Sequence, residues 1–290
     1  MLIDELVQFC HTELQTKPCR GCTKTGSGDC EHNCKNCLDD LHYHQNCIRC
    51  DYTCERLLDH YVCRYSYKYC SEILYALETV DLSRYPVFNI LSLGCGGAAD
   101  LMAFDYLGLP QPLAYLGLDK NPYWARIHAQ IAGYFSAGSV PPRVQFLQNT
   151  DVLRYFDSTS VPNCNILIVE YLLSFFYAQI GRAGTIQWFR TLVQNVVAKK
   201  LPGSPFLVIF NDVDSRNTGR DTFPAFRSIV EEAGLHVNFE RRMCFKPDSY
   251  YADAQQYPSR RNRFRLPSFV KDNYAPAIRC ESAQLILEVQ

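Results

Sequence analysis

The chain has 290 residues, 47% of them apolar and 20% charged, with a formal net charge of −1. That is globular composition, long enough for one large or two modest domains with an ample core. The near-neutral balance excludes global electrostatic steering toward nucleic acid or an anionic membrane surface.

In chain order, residues 1–14 predict a short amphipathic helix with Leu2, Leu6 and Cys10 on one face. Acids and no basic n-region stand at the start, so no secretory signal is expected. The longest apolar run, 166–180, is interrupted by Glu170 and Gln179 and is too short and too polar to span a bilayer. The expectation is an intracellular protein, cytoplasmic or nuclear, not secreted and without a membrane partner.

Eleven of the 15 cysteines fall within residues 10–70. Without a secretion signal, such density predicts metal ligation rather than disulfides. A C-x-x-C knuckle lets two thiolates reach one tetrahedral ion. Cys19, Cys22, Cys30, Cys34, Cys37, Cys47, Cys50 and Cys54 are the candidate ligands of two or more zinc ions. One pairing sets Cys19 and Cys22 with Cys34 and Cys37. Cys47, Cys50 and Cys54 then take a fourth ligand from Cys30, His42 or His44; cross-braced arrangements fit as well, and a third site would draw on Cys10 and histidines. The Cys30, Cys34, Cys37 spacing also suits an iron–sulfur cluster. Residues 15–54 hold few large apolar side chains, so a metal is expected to fold them. Residues 1–55 therefore predict a Cys-rich zinc-binding module, which also offers a surface to a protein partner. Cys63 and Cys70, seven apart on one helical face, predict core positions in a tyrosine-rich helix over 54–80.

Residues 87–93 predict a buried strand running into a glycine turn at Gly94, Gly96 and Gly97, followed by a helix over 100–107. A second apolar strand, 113–118, ends on Asp119. Glycines let the backbone approach a ligand, the helix start offers free N–H groups, and an acid about 20 residues on can take both hydroxyls of a ribose. A nucleoside-containing cofactor follows. Gly94-Cys95-Gly96-Gly97-Ala98-Ala99-Asp100-Leu101 resembles motif I of class I S-adenosylmethionine-dependent methyltransferases in its G-x-G-P-G-x-D-L form, departing at Ser92, where many members carry an acid, and at Gly97-Ala98.

The resemblance implies S-adenosylmethionine as cofactor, held by Gly94, Cys95, Gly96, Asp119 and Lys120. It implies Asp151 and Val152 at the adenine, after a third strand at 144–147, and Arg64, Tyr65 and Tyr69 as pocket candidates on the preceding helix. A capping role for Asp151 is the alternative. The fourth strand, 165–170, is nearly all apolar, as a central parallel strand should be. Glu170 and Tyr171 stand where the family places motif IV. Asp212 ends the fifth strand, 206–210, and Asn211 precedes it. Glu170, Tyr171 and Asp212 are thus the candidate catalytic groups, Glu170 also a cofactor contact. Neither the D-P-P-Y type motif nor the Pro-Cys of the C5-pyrimidine enzymes is present.

Helices are expected at 186–200 and 221–233, and late strands at 235–239 and 283–289. The expected fold is α/β: a class I methyltransferase Rossmann-like sheet over residues 56–290, helices on both faces, preceded by the small zinc domain. Residues 240–265 carry seven basic and three acidic side chains with Tyr250, Tyr251, Tyr257 and Phe264 interleaved. Read as a loop, they offer phosphate contacts and base stacking through Arg260, Arg261, Arg263 and Arg265, which suggests an RNA acceptor; a solvated basic loop is the plainer alternative. Protein and small-molecule acceptors stay open, as does an inactive Rossmann-like scaffold whose zinc module binds a partner.

Overall fold

A computed structural model describes residues 1–17, 34–43, 52–136, 142–158 and 163–290. The helices are α1 (Leu2–Thr16), α2 (Cys34–Tyr43), α3 (Glu55–Leu77), α4 (Ala99–Leu107), α5 (Ala125–Ser136), α6 (Tyr155–Ser158), α7 (Leu173–Asn195), α8 (Phe223–Glu232) and α9 (Ser268–Tyr274). The strands are β1 (Phe88–Leu93), β2 (Leu113–Leu118), β3 (Arg143–Leu147), β4 (Ile166–Glu170), β5 (Phe206–Val213), β6 (Val237–Cys244), β7 (Gln255–Gln256) and β8 (Ser282–Val289).

They form one sheet in the order β3-β2-β1-β4-β5-β8-β6-β7. The first five are parallel, and β8 inserts antiparallel between β5 and β6. This is the layout expected from the sequence resemblance, a parallel half followed by an inserted antiparallel strand.

The period of two along the central strands separates two cores. Ile166, Ile168, Leu207 and Ile209 face one side, where α1, α3, α4 and α5 pack. Leu167, Val169, Val208 and Phe210 face the other, against α7 and α8. Each fully buried Leu or Ile contributes about 1.5–3 kcal/mol.

The amphipathic stripe of α1 (Leu2, Ile3, Leu6, Val7 and Cys10) is buried in the same core as α3 and α4. Cys10, a candidate for a third metal site, is therefore spent on packing. Cys63 and Cys70 are buried there too. On α2, Leu38 joins this core and Asp39 pairs with Arg64 of α3 at 2.7 Å. Among the described residues no helix is long and apolar enough to cross a membrane.

Three sequence expectations shift. The helix expected at 186–200 is the second half of α7. It begins at Leu173, kinks at Gly181 (φ 68°), where a left-handed residue breaks the α geometry, and stops at Asn195. The strand expected at 235–239 extends to Cys244, so residues 240–244 are sheet rather than basic loop. Its pairing with β8, buried along its whole length, holds that register.

Candidate functional site

The parallel strands point their carboxyl ends at one edge of the sheet, where ligands of such folds gather. After β1 the chain turns through Gly94 (φ 66°) and Gly96 (φ 47°). The Gly94 and Cys95 N–H groups both donate to Leu118 O, at 2.8 and 3.1 Å. At φ 66° any side chain at Gly94 would be strained, and its Cβ, 2.9 Å from a Leu172 methyl, would make that leucine side chain shift.

Asp119, at the tip of β2, locks this turn. Its Oδ2 accepts from Gly96 N at 2.8 Å and its Oδ1 from Asn121 N at 2.8 Å. One N–H on each oxygen leaves each a further acceptor position. Burial pushes the Asp119 carboxyl above its ordinary value, against the pull of these two N–H groups. Lys120 pairs with Asp151 Oδ2 at 3.0 Å in an exposed position. Asp151 Oδ1 accepts from Leu153 N at 3.1 Å, so the residue does cap its turn. Val152 is buried, and its carbonyl takes the Trp188 indole N–H at 3.0 Å.

Glu170 and Tyr171 stand at the tip of β4. Tyr171 is held at φ 52°, a conformation disfavoured for an aromatic residue, and its N–H donates to Asn211 O at 2.7 Å. Its hydroxyl donates to Glu72 Oε2 at 2.8 Å. The Asn211 amide donates to Glu170 Oε1 (2.9 Å) and Glu72 Oε2 (3.2 Å), while its own oxygen accepts from Gln284 (2.9 Å). Glu72 Oε1 takes the Glu281 N–H at 2.8 Å. Glu72, fully buried on α3, is thus the hub that orients Tyr171 and Asn211, and through Asn211 the Glu170 carboxyl. Burial, then the nearby Asp100 and Glu72 carboxyls, push Glu170 well above the usual carboxylate range.

A small cavity of ≈ 40 Å³ lies here, room for about two or three waters. The β1 turn forms one wall, Tyr61 and Tyr69 of α3 another, and Asp100, Glu170 and Tyr171 the rest. Gly94, Cys95, Gly96, Glu170, Tyr171 and Tyr69 are brought together in it; Asp119, Lys120, Asp151, Val152 and Asp212 are not in its lining. Asp212 is fully buried and turned away: its carboxylate accepts from Ser174 N (2.9 Å) and Val213 N (2.6 Å), capping α7. Tyr65 stacks on Tyr69, and Arg64 is engaged by Asp39.

Of the candidate zinc ligands, Cys34 and Cys37 lie one turn apart on α2 and Cys54 precedes α3. Cys19, Cys22, Cys30, Cys47 and Cys50 lie outside the described residues. Among the described residues no group of three or more His, Cys, Asp or Glu is placed to hold a metal ion.

In the basic segment, Tyr251 and Tyr257 are buried and Phe264 packs on Tyr67 and Tyr106, so these rings are committed to the protein rather than presented for stacking. Arg260 pairs with Glu281 at 3.8 Å; Arg263 pairs with Glu78 and lies 4.1 Å over the Tyr75 ring. Arg261 and Arg265 are exposed.

No protein-family model matches the sequence, and no curated protein matches it. Among solved structures, the chain is similar to magnesium protoporphyrin IX methyltransferase from Synechocystis PCC 6803, crystallised with SAM (10% identity, 98% of this chain and 96% of that one, TM-score 0.41). It is also similar to a SAM-dependent methyltransferase from Archaeoglobus fulgidus (12% identity, 73% and 93%, TM-score 0.37). A third likeness is to the methyltransferase domain of bacterial CtHen1 (10% identity, 75% and 97%, TM-score 0.44). At TM-scores below 0.5 these likenesses carry no functional weight.

Proposed function

We propose that this chain is an S-adenosylmethionine-dependent methyltransferase. The observation that supports it is the glycine turn tied by Asp119 to the tip of β2, beside a cavity closed by Glu170 and Tyr171 at the tip of β4. The free acceptor positions of Asp119 suit two ribose hydroxyls. The cofactor supplies a methyl group on a sulfonium. Transfer breaks the carbon–sulfur bond, forms a bond to the acceptor and leaves a neutral thioether. The protein's part is orientation, exclusion of water and removal of the acceptor's proton. Glu170, held by Asn211, is the group placed to take that proton, and the Tyr171 ring to position the acceptor.

Calorimetric titration with S-adenosylhomocysteine tests the reading. Micromolar binding is expected, weakened at least tenfold in Asp119→Ala. The smallness of the cavity favours a second reading, an inactive scaffold, in which the folded protein binds neither this ligand nor S-adenosylmethionine.

The cysteine spacing supports zinc in the N-terminal segment. Elemental analysis of the purified protein is expected to find two or more zinc ions per chain; a metal-free folded protein would remove that part. Exposed Arg261 and Arg265 support an RNA acceptor. Salt-sensitive RNA binding lost on replacing both would separate RNA from protein and small-molecule acceptors.

A further inference from the structure

Residues 260–265 and 277–281 carry five basic side chains and one acidic one. The two stretches meet as a short antiparallel ribbon outside the main sheet, with Arg261 facing Arg279. Asn262 N donates to Ile278 O at 3.4 Å and Cys280 N to Arg260 O at 2.9 Å. These bonds flank the facing pair, which is therefore a non-hydrogen-bonded pair. Such pairs bring opposite side chains closest, with Cα atoms about 4.5 Å apart. Facing residues of a ribbon share one face, and both arginines are exposed. Two guanidinium groups thus start from one spot, and like charges placed directly opposite are destabilising.

Among the described residues no acid relieves this. Glu281 pairs with Arg260 at 3.8 Å and Glu78 with Arg263, and neither Arg261 nor Arg279 has an ion-pair partner. The backbone is not free to splay them apart. The Tyr75 hydroxyl of α3 donates to Arg261 O at 3.1 Å, and Arg263 N donates to the Ser71 hydroxyl at 2.9 Å. Ala277 N donates to Arg64 O at 3.1 Å, and Cys280 is fully buried. What the pair lacks is an anion, and a phosphate suits guanidinium forks. The aromatic rings of this segment are committed to the protein, so the surface offers charge without stacking, which fits contact with a sugar–phosphate backbone rather than with bases.

Placement says how large the ligand is. β8 starts at Ser282, opposite Val213 at the carboxyl end of β5, so the ribbon opens on the same edge of the sheet as the cavity. It does not line the cavity. The α3 helix stands between, with Ser71 and Tyr75 on the ribbon and Tyr61, Val62 and Tyr69 on the cavity. A helix with its side chains is about 10–12 Å across, so a ligand that reaches both must bridge at least about 10 Å. A chain of nucleotides does so with phosphates to spare.

We propose that Arg261 and Arg279 form a clamp for one phosphate of a single-stranded RNA backbone, gripping the acceptor away from its reacting atom. The assignment rests on the RNA reading above and adds to it a residue, Arg279, and a single shared phosphate; it does not depend on cofactor binding.

The test is titration of the full chain with labelled oligouridylate across a salt series, for wild type, Arg261→Gln, Arg279→Gln and the double variant. Each single variant is expected to bind at least fivefold more weakly. Each is also expected to lower the slope of log affinity against log salt by about 0.7, the value for one phosphate of a single strand. The double variant should lower it no further, because both arginines serve one phosphate. Without RNA, each single variant should melt no lower than wild type at low salt, since it removes a repulsion. Uridine 5′-monophosphate, oligothymidylate and oligoglutamate are expected to compete more weakly than unlabelled oligouridylate. Single variants within twofold of wild type, or a double variant whose slope falls twice as far, overturn the clamp and leave the RNA reading standing. So does a single variant that melts below wild type, which would make the pair structural. Equal competition by any of the three other probes overturns RNA as the source of the phosphate. Wild-type protein that binds no oligouridylate overturns the RNA reading, and the clamp with it.

Discussion

Glu170 carries the most consequential charge at the scale of single residues. Its carboxyl is raised by burial and by the carboxyls of Asp100 and Glu72. The folded state therefore keeps a proton that the unfolded state releases above about pH 4.3. The unfolded chain binds fewer protons in that window, so stability falls as pH rises from the unfolded value toward the folded one. Glu170→Gln keeps an oxygen for the Asn211 amide and removes the charge. Its melting temperature should exceed that of wild type by a few degrees at pH 8, with the gap closing near pH 4, as calorimetry across the series would show. A variant that melts below wild type at pH 8 would contradict the assignment. Gly94, Gly96, Asp119 and Glu170 were legible in the sequence because turn glycines and acids at strand tips are local signals. Glu72 and Asp100 were not. Glu72 acts on partners 99 and 139 residues away, and Asp100 lines the cavity from a helix start rather than from a strand tip.

Between elements, a close backbone approach is made where Gly219 crosses the start of α7. A Cβ there would lie 2.3 Å from Leu173 C and 2.4 Å from Ser174 N, and backbone has nowhere to yield. The same turn is held by the Asp212 cap on Ser174 N. Gly219→Ala should lose about 2–4 kcal/mol in denaturant unfolding; a loss below about 0.5 kcal/mol would mean that α7 starts elsewhere. Strand–helix alternation was legible through β5 because each element carries its own periodicity. The course of α7 was less so: residues 166–180 are apolar on both sides of Glu170, with no glycine or proline between, yet Glu170 ends β4 and Leu173 begins a helix. The basic segment also divides unexpectedly, since pairing with the central strand β8 draws Glu240–Arg242 into the sheet and composition carries no trace of that.

Taken whole, the molecule has a first helix that shares the core of the sheet. Leu6 is 0% exposed among side chains of α3 and α4. Leu6→Ala should cost about 2–5 kcal/mol. It should do so in a single transition, the same by Trp188 fluorescence on the opposite face, read in a Trp124→Phe background, as by far-ultraviolet circular dichroism. A separate early transition would mean that α1 unfolds by itself. The shared core also bears on the segment between the two helices. Arg56, in α3, hydrogen-bonds the backbone carbonyls of Lys17 and Leu14 at the end of α1, so the chain leaves and re-enters the core at one place. Leu38 pins a point between. Bringing the ends of a free loop together costs about (3/2)RT ln n in chain entropy. In this protein the burial of α1 and α3 in one core meets that cost for the two ends of the segment between them. Loosening α1 would thus release the Lys17 end of that segment and restore the entropic cost of closing it.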